Sequence, residues 1–538
     1  MKRKVVMLAL GAVVAAVGLQ TGGPRLGHAA TVPGTQSNFK LIGHEPLFNR
    51  GMNAAPAIYS HFMFIGSRSD GSHLHSGVQI VDISHPSNPR DVGEIPYPTT
   101  IPIGYTSREL RVWPQQKVLM VMYFGCSALI HACETSLADA GEQPFRQIDF
   151  FDLSGITTAA PVPALTTSYK PLTTPHEMFL WLDPKNAARA ILYWTSPNNS
   201  AAQLVATDIS GWKSGVFKEI SVFSAVTDYS QADQQNYDVR LHSLSISPDG
   251  NRGYLAYLGG GVLVIDTSQV AAGVTSPKIT LVTPVSGRAY WNYEGAHSSV
   301  PIPGKPYILT TEEIYGKGTP AMQALFGPAF GGCPWGWVRI VDMTDPTNLK
   351  VVSEFKIDEN NLTTCPAAQD NYSSYTSHNP TVLKDIAFVT WHSGGLRAIE
   401  LSDPTHPVQD GFFVPKPDAL QPGHTPDPAL EAGSNGTIAW SYPIIRNGLI
   451  YYVDIANGVY IVRYTGPHAR EVNATSFLEG NSNVGGTAKP EQSLPASRSE
   501  PTPAPMIWPL LVAGCGAVLA AGAALSRRRP RRMLVTPA

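Results

Sequence analysis

The sequence predicts an all-β fold, a seven-bladed β-propeller of four-stranded blades, and three observations lead to it. A strand-like phrase recurs seven times, about every 64 residues, which suits blades that carry loop insertions. Two strand-like runs precede each copy and another follows it, so each period offers four short strands. A lone run at residues 38–47 precedes the first period and the last period lacks a fourth strand, so pairing across the ends would close the ring. Six or eight blades fit this spacing less well.

The recurring phrase is an alternating aliphatic run followed by an acidic residue and a turn. Alternation is typical of a half-buried strand, and we assign the run to the third strand of each blade. The carboxylate at the sixth position can accept hydrogen bonds from backbone N–H groups of the turn. In chain order the sixth positions are Asp82, Asp152, Asp208, Asp266, Asp342, Glu400 and Arg463. The expected turn caps are Asp82, Asp152, Asp208, Asp266 and Asp342.

Both ends of the chain predict a protein of the cell surface. Residues 1–30 have the charged start, apolar stretch and small-residue exit of a secretory signal peptide, with cleavage near Ala29 or Ala30 favoured over a retained helix. Residues 506–525 are apolar and long enough to cross a membrane as a helix. The basic tail, 526–538, then stays in the cytoplasm.

Between these ends we expect a propeller at residues 31–466 and a Pro- and Ser-rich, unstructured linker at 467–505. The expected location is therefore the cell membrane, with a single pass, an extracellular ectodomain and a cytoplasmic C-terminus. Of the 39 basic residues, four lie in the signal and five in the tail, leaving 30 against 41 acidic residues. An ectodomain with a net charge of about −11 excludes nucleic acid as a partner, since nucleic-acid binding needs a basic surface.

Four of the five cysteines form an even set outside the expected membrane helix, in a compartment where disulfides persist. Cys126 with Cys133, and Cys333 with Cys365, are the expected local bridges, although four cysteines allow three pairings. A metal site made by these cysteines is less favoured, because neither pair has the short CxxC spacing.

Histidines recur at the start of the innermost strand in four successive periods. In a propeller these strands line the central channel, so the imidazoles are expected to converge at one mouth. Neutral imidazole binds zinc, copper, nickel or iron, and nearby polar side chains would orient the ligands. The candidate ligands are His176, His242, His297 and His378, and the candidate orienting residues are Glu177, Glu294 and Asn379.

A structural role for these histidines is the alternative. A histidine at a strand start can form a hydrogen bond to the backbone of the neighbouring blade, as in WD-repeat propellers. Such a structural contact would recur at the same position of each repeat. Separations above roughly 8 Å, or rings that each face a neighbouring blade, would rule out a shared metal at about 2 Å from each nitrogen. Elsewhere, Glu312 and Glu313 end a strand, where adjacent side chains face opposite ways, so they are not expected to form a general-acid pair.

Two family resemblances add to this picture. GVQIVDISHPSNPRDVG, GWVRIVDMTDPTNLKVV and GGLRAIELSDPTHPVQDG resemble LVIVD repeats, which implies a secreted or surface-anchored propeller and little about activity. FVTWHSGGLRAIELSDP is similar to a stretch of the selenium-binding-protein/methanethiol-oxidase family, seven-bladed propellers implicated in copper-dependent thiol oxidation. Trp391, His392, Arg397 and Asp403 match in kind, with one residue fewer between Trp and His, and that family's reactive cysteine segment is not found here. This resemblance adds His392 to the candidate ligands.

The leading functional expectation is a cell-surface binding or scaffold module, whose loops at one propeller face hold a protein, a glycan or a small molecule. The alternative is a metal-dependent, copper-like oxidoreductase or a hydrolase, with the histidine cluster at the channel mouth holding copper or zinc. A purely structural envelope protein without a ligand is the third reading. The spacing of the histidines separates these possibilities.

Overall fold

The alternating runs form seven antiparallel sheets in the computed structural model, so the prediction of a seven-bladed, all-β propeller is confirmed. The structure describes residues 32–126, 133, 143–236, 238–291, 295–314, 334–363, 374–417 and 436–476. The expected signal peptide, membrane helix and tail, and all but the first ten residues of the expected linker, lie outside this range. No helix within it has the length and apolar character needed to cross a membrane.

Within the blades, strands that follow one another in the chain are hydrogen-bonded neighbours in the sheet. The first three blades are β3 Asn53–Tyr59, β4 Phe62–Ser67, β5 Val78–Asp82 and β6 Arg90–Ile95; β7 Tyr105–Trp113, β8 Val118–Gly125, β9 Gln147–Asp152 and β10 Ala164–Tyr169; β11 Met178–Leu182, β12 Ala190–Thr195, β13 Leu204–Gly211 and β14 Val216–Phe223. The fourth and fifth are β15 Ser243–Ile246, β16 Arg252–Ala256, β17 Val262–Asp266 and β18 Thr280–Leu281; β19 Ser298–Pro301, β20 Tyr307–Thr311, β21 Val338–Asp342 and β22 Lys350–Phe355. Each copy of the recurring phrase is the third strand of its blade.

The last two blades use the N-terminal segment. The sixth contains β23 Pro380–Val382, β24 Ile386–Thr390, β25 Leu396–Glu400 and β26 Val408–Phe413, and the seventh contains β27 Ile444–Arg446, β28 Leu449–Asp454 and β29 Gly458–Tyr464. Strand β2, Phe39–Glu45, pairs with β29 and completes the seventh blade, as the lone N-terminal run predicted. Strand β1, Gln36–Ser37, adds an unpredicted fifth strand to the sixth blade. A strand of two residues is too short to show a periodic hydrophobic pattern, so the sequence alone does not predict β1.

The hydrophobic core lies between adjacent blades. One cluster joins Ile191 and Leu204 of the third blade to Leu255 and Leu263 of the fourth, all fully buried. Each such side chain contributes about 1.5–3 kcal/mol when it leaves water. The outermost strands alternate exposed and covered residues, as in β22. Blades are therefore held to each other by face-to-face packing, which fixes the innermost strands around the channel.

The repeat carboxylates lie at or near the ends of the third strands, next to the turns that lead to the fourth strands. In six of the repeats the side chain accepts a hydrogen bond from the backbone N–H two residues later. The distances are 2.8 Å for Asp82, 2.8 Å for Asp152, 2.9 Å for Asp208, 2.8 Å for Asp266, 2.8 Å for Asp342 and 2.7 Å for Glu400. These residues build the blade corner, away from the channel.

Connections supply the remaining described elements. Short α-helices are α1 Gln231–Asn236, α2 Ser268–Ala271 and α3 Ala469–Asn473, and single 3₁₀ turns span Leu47–Asn49, Pro114–Gln116, Trp212–Ser214, Val226–Asp228, Val285–Gly287 and Asp358–Asn360. Cys126 is disulfide-bonded to Cys133, across the connection that follows β8. Cys333 and Cys365 lie outside the described residues.

Candidate metal centre

The four recurring histidines occupy one backbone position in four blades. Each backbone N–H donates to a carbonyl at the end of the second strand of its own blade, at 2.8 Å for His176, 2.9 Å for His242, 2.8 Å for His297 and 2.9 Å for His378. This shared register brings the side chains to one mouth of the channel. The ring centroids of successive histidines are 4.6, 4.1 and 4.3 Å apart, far below the separation that would exclude a common ligand.

His392 joins the cluster from the turn between β24 and β25. Its ring centroid lies 5.0 Å from that of His378. Its backbone φ of 30° is left-handed, a conformation that residues with a Cβ seldom adopt and that is frequent at functional sites. The side chain is fully buried, and neither ring nitrogen makes a hydrogen bond to any described residue. Such a buried polar ring is costly unless something binds it.

Glu313, which follows β20, lies in the middle of the histidines. Its Oε1 is 3.1 Å from Nε2 of His378 and 3.4 Å from Nε2 of His392, and its Oε2 is 3.5 Å from Nε2 of His297. Burial acts to raise the pKa of this carboxyl, but its combined interactions with His378, His392 and His297 outweigh burial and hold the pKa well below the usual value. In the sequence Glu313 is one half of an adjacent acidic pair and belongs to no repeat, so the repeat pattern does not predict its place in the cluster.

Glu312 faces the other way, as expected for adjacent residues at a strand end. Its Oε2 forms an ion pair of 2.6 Å with Nη1 of Arg339. The guanidinium of Arg339 stacks on Trp291 and Trp337, each at 4.5 Å from the ring centroid. Glu312 therefore belongs to a buried structural pair, and only Glu313 points to the channel mouth.

The other end of the cluster is formed by His176, His242 and Glu177. Nε2 of His176 is 3.0 Å from Nε2 of His242, and Nδ1 of His242 is 3.8 Å from Oε1 of Glu177. Burial, followed by the charge of Glu109, raises the pKa of Glu177 to about 8. Glu294, the other acidic candidate, lies outside the described residues.

Burial also determines the charge state of most of the imidazoles. It is the largest cause that lowers the pKa of His176, His242 and His297 well below that of an ordinary histidine, and it lowers the pKa of His392 to about 4. These rings are thus neutral at physiological pH. A neutral imidazole carries one nitrogen lone pair, which is the form that binds transition metals.

His378 is oriented by the backbone of the seventh blade. Its Nδ1 lies 2.7 Å from the carbonyl oxygen of Trp440, which also accepts a hydrogen bond of 2.9 Å from Nδ2 of Asn379. A carbonyl oxygen only accepts, so Nδ1 carries the proton, and in a neutral ring Nε2 holds the lone pair. Asn379 thus supports the same carbonyl that orients His378, as an orienting residue of a metal ligand would.

The alternative, in which the histidines only hold neighbouring blades together, explains part of the environment of His378. This ring bonds the neighbouring blade's backbone, but its second nitrogen still faces Glu313. Among the described residues, the hydrogen bond of Nδ1 of His297 is with the hydroxyl of the adjacent Ser298, at 2.9 Å. His242 and His392 make no ring hydrogen bond to any backbone atom of the described residues. Holding blades together therefore does not explain why four rings turn toward each other.

Aromatic and cationic side chains complete a ring around the channel mouth. Trp440 packs against His378 with centroids 5.2 Å apart, and Phe124 packs against His176 at 4.8 Å. The guanidinium of Arg108 lies over both Phe124, at 4.3 Å, and Trp440, at 6.0 Å. We call this closed ring the collar; its members are Phe124, His176, His242, His297, His378, Trp440 and Arg108. Arg68, buried beside it, lies 5.0 Å from the centroid of Trp440.

The separations within the cluster suit a first coordination shell. Two atoms bound to one metal at about 2.0–2.1 Å lie roughly 2.8–3.4 Å apart. His176 with His242, and Glu313 with His378 and with His392, fall in that range at 3.0, 3.1 and 3.4 Å. Three overlapping sets, in each of which the ligand atoms lie within 4.8 Å of one another, can be drawn: His176, Glu177 and His242; His242, His297 and Glu313; and Glu313, His378 and His392.

Comparison with known proteins adds support for the repeat and little else. A family model described as the LVIVD repeat matches residues 75–95, which include the third strand of the first blade and the turn after it. No curated protein matches this chain.

Weak structural similarity extends to several solved proteins. The computationally designed Ika8 protein has 7% identity over 78% of this chain and 97% of its own, with a TM-score of 0.37. Sqt1 of Saccharomyces cerevisiae has 9% identity over 79% and 100%, with a TM-score of 0.40. A putative 6-phosphogluconolactonase from Bacteroides uniformis has 10% identity over 77% and 98%, with a TM-score of 0.42. Scores this low carry no argument about function, so the propeller assignment rests on the strand pairing and the repeat.

Proposed function

We propose that this protein is a metal-dependent β-propeller, which binds a transition-metal ion between Glu313 and the histidines of the channel mouth and acts there on a small molecule. The observation that carries the proposal is the approach of His378 to Glu313. Two acceptor atoms, the lone pair of Nε2 and a carboxylate oxygen, face each other at 3.1 Å, which is favourable only with a cation or a proton between them.

The ligand set favours a borderline metal over a hard one. Imidazole suits zinc, copper, iron and nickel, whereas magnesium and calcium prefer oxygen ligands throughout. Copper binds such a set most tightly of the divalent first-row metals. A copper ion would indicate an oxidoreductase, while zinc, which has no redox chemistry, would indicate a hydrolase. Copper and zinc are accordingly the two cofactors that we propose.

Charge at the collar favours an anionic small molecule. Arg108 acts to lower the pKa of His176, His242 and His297, and Arg68 acts likewise on His392, so both cations are electrostatically close to the cluster. Fixed cations at a mouth concentrate anions there. We expect Arg108→Gln to bind inorganic phosphate more weakly than the wild type in isothermal titration calorimetry; equal binding would contradict this assignment.

Elemental analysis of the purified full-length chain tests the metal proposal. We expect stoichiometric copper or zinc, whose content falls in the double variant His378→Ala/His392→Ala and is retained in His85→Ala, which removes an exposed histidine of a blade turn. A chain that binds no transition metal, and whose melting temperature is unchanged by a chelator, would rule the proposal out. The same measurement, by naming the metal, separates the two reaction classes.

A binding or scaffold module remains the second candidate, and the fold itself favours it. A propeller holds loops rigidly around one mouth, where they can present a binding surface. The partner would be a surface protein, a glycan or a small molecule. Capture of a glycan or protein by a chain stripped of metal would favour this candidate; loss of all binding on metal removal would count against it.

We further propose that the protein is anchored in the cell membrane by residues 506–525, with residues 31–466 outside and the basic tail inside. The signal-like residues 1–30 and the apolar C-terminal run support this topology. Protease treatment of intact cells should remove the propeller and leave a short membrane-bound C-terminal fragment. Full protection of the propeller in intact cells would reject the topology.

A further inference from the structure

We propose that the centre holds two metal ions, bridged by the two carboxylate oxygens of Glu313; the inference rests on the metal-dependent function proposed above. The oxygens face different partners. Oε1 faces Nε2 of His378 and of His392, at 3.1 and 3.4 Å, whereas Oε2 faces Nε2 of His297 at 3.5 Å. A carboxylate that offers each oxygen to a separate group of imidazoles has the geometry of a bridge between two ions.

The inner position is bounded by Oε1 of Glu313, His378 and His392. His378 presents Nε2 as its acceptor, because Nδ1 faces the carbonyl oxygen of Trp440. His392 is fully buried, and both its nitrogens lack a hydrogen bond within the described part of the chain. Leaving a buried polar atom without a partner is unfavourable, and a bound ion would supply that partner.

The outer position is bounded by Oε2 of Glu313, His297 and His242. Nδ1 of His297 contacts Ser298, so Nε2 is the atom turned to the carboxylate, and it too is buried without a hydrogen bond among the described residues. Ligand atoms of this trio lie within 4.8 Å of one another. The two positions share only Glu313, and each of its carboxylate oxygens faces a different position, which favours two ions over one. Two ions held by one bridging group are typically about 3.5–4 Å apart.

A rival place for a second ion is the set His176, Glu177 and His242. Its two imidazoles are well placed, with Nε2 atoms 3.0 Å apart, but Oε1 of Glu177 is 3.8 Å from Nδ1 of His242. An ion there would share no ligand with the inner position. The two arrangements therefore differ in one measurable property: only the bridged pair couples the two ions magnetically.

Copper(II) serves as the probe, because it reports both the number of bound ions and the magnetic coupling between them. The full-length chain is stripped with a chelator, reloaded with copper(II), and examined by elemental analysis and electron paramagnetic resonance. We expect two ions per chain and a spin-coupled pair, seen as a half-field signal and an integrated intensity well below two isolated ions. Glu313→Gln should lose the coupling and at least one ion. Glu177→Gln, which removes the acidic member of the rival set described above, should keep both ions and their coupling if Glu313 is the bridge.

Each other outcome has a definite meaning. One copper per chain overturns the bridged pair and leaves the proposed function intact, whereas no copper overturns both. Two uncoupled ions, or loss of the second ion in Glu177→Gln, place that ion in the rival set and overturn the bridge. The wild-type spectrum decides even if Glu313→Gln fails to fold, and Glu313→Asp, which shortens the bridge by one methylene, should weaken the coupling.

Discussion

Nε2 of His176 lies 3.0 Å from Nε2 of His242, although 66 residues of sequence and a blade boundary separate them. Either a proton or a metal ion has to lie between two ring nitrogens at this distance, since two lone pairs would repel each other. The contact links the third and fourth blades at the channel mouth. Binding of a metal ion to the histidine cluster should therefore change the stability of the whole propeller.

We expect zinc or copper to raise the melting temperature of the wild-type chain. A ligand that binds only the folded state stabilises it by about 2.7 kcal/mol at a concentration one hundred times its dissociation constant. Differential scanning fluorimetry with and without metal measures the effect. The increase should shrink in His242→Ala and persist in His85→Ala; equal increases in both variants would assign the stabilisation to some other site.

The buried pair of Glu312 and Arg339 should be costly to break. Both side chains are at most 4% exposed, and removing one partner leaves an uncompensated buried charge, which costs about 3–5 kcal/mol. We expect Glu312→Gln to lower the free energy of unfolding by that order in urea titrations. Glu354, which also contacts Arg339 but is 40% exposed, provides the comparison, and Glu354→Gln should cost about 1 kcal/mol or less. Similar losses in the two variants would contradict this account.

Asp91 should make the protein less stable as pH rises. Burial, followed by the charge of Glu45, raises the pKa of Asp91 from 3.8 to about 7, and its Oδ2 is buried without a hydrogen bond to any described residue. The folded state thus binds this proton more tightly than the unfolded state. The stabilising contribution is complete below about pH 3.8 and is lost as the pH rises through about 7.

Asp91→Asn tests that assignment, because it keeps the Oδ1 acceptor for the N–H of Gly93 and removes the charge. At pH 8 the variant should exceed the wild type in unfolding free energy by on the order of 1 kcal/mol, discounted for partial exposure. Near pH 4 the two should be almost equal. A difference that does not change between these pH values would show that Asp91 is not the titrating group.

Gly43 should be intolerant of any side chain, since it lies where the seventh blade meets the first. A Cβ on Gly43 would sit 2.0 Å from the carbonyl oxygen of Pro86 and 2.9 Å from Cδ of Pro89. We expect Gly43→Ala to cost about 1–3 kcal/mol, the usual range for overpacking, in thermal or urea denaturation. Gly155→Ala, where a Cβ would meet nothing within 4 Å, should change stability by no more than about 0.5 kcal/mol. Equal effects would remove the steric explanation.

The sequence could predict the blades because each blade repeats one hydrophobic pattern and one turn. It could also predict that His176, His242, His297 and His378 share a position, since repeats place equivalent residues at equivalent depths. Glu313 was beyond that reasoning because it belongs to no repeat. It extends the second strand of its blade past Thr311, which pairs with Ser298, the residue after His297. Only strand register places it beside the histidines.

His392, Trp440 and Arg108 illustrate the same limit. Family resemblance brought His392 into consideration, but nothing in the pattern indicated that its turn would join the mouth through a bridge to Ala439. Trp440 and Arg108 complete the collar through cation–π and ring contacts between blades distant in sequence. Such contacts depend on ring closure, and a local period of two residues carries no information about them.

Ring closure also dictates when the site can exist. Phe39 of β2, near the start of the described chain, pairs with Tyr464 of β29, near its end, so β2 is made early in synthesis but cannot pair until β29 has been made. The collar draws residues from position 108 to position 440, and until the final blade arrives its two flanks have no fixed separation. The proposed metal ion would therefore meet an assembled ring of ligands only after the seventh blade has been made, so metal loading would follow ring closure and would not nucleate folding.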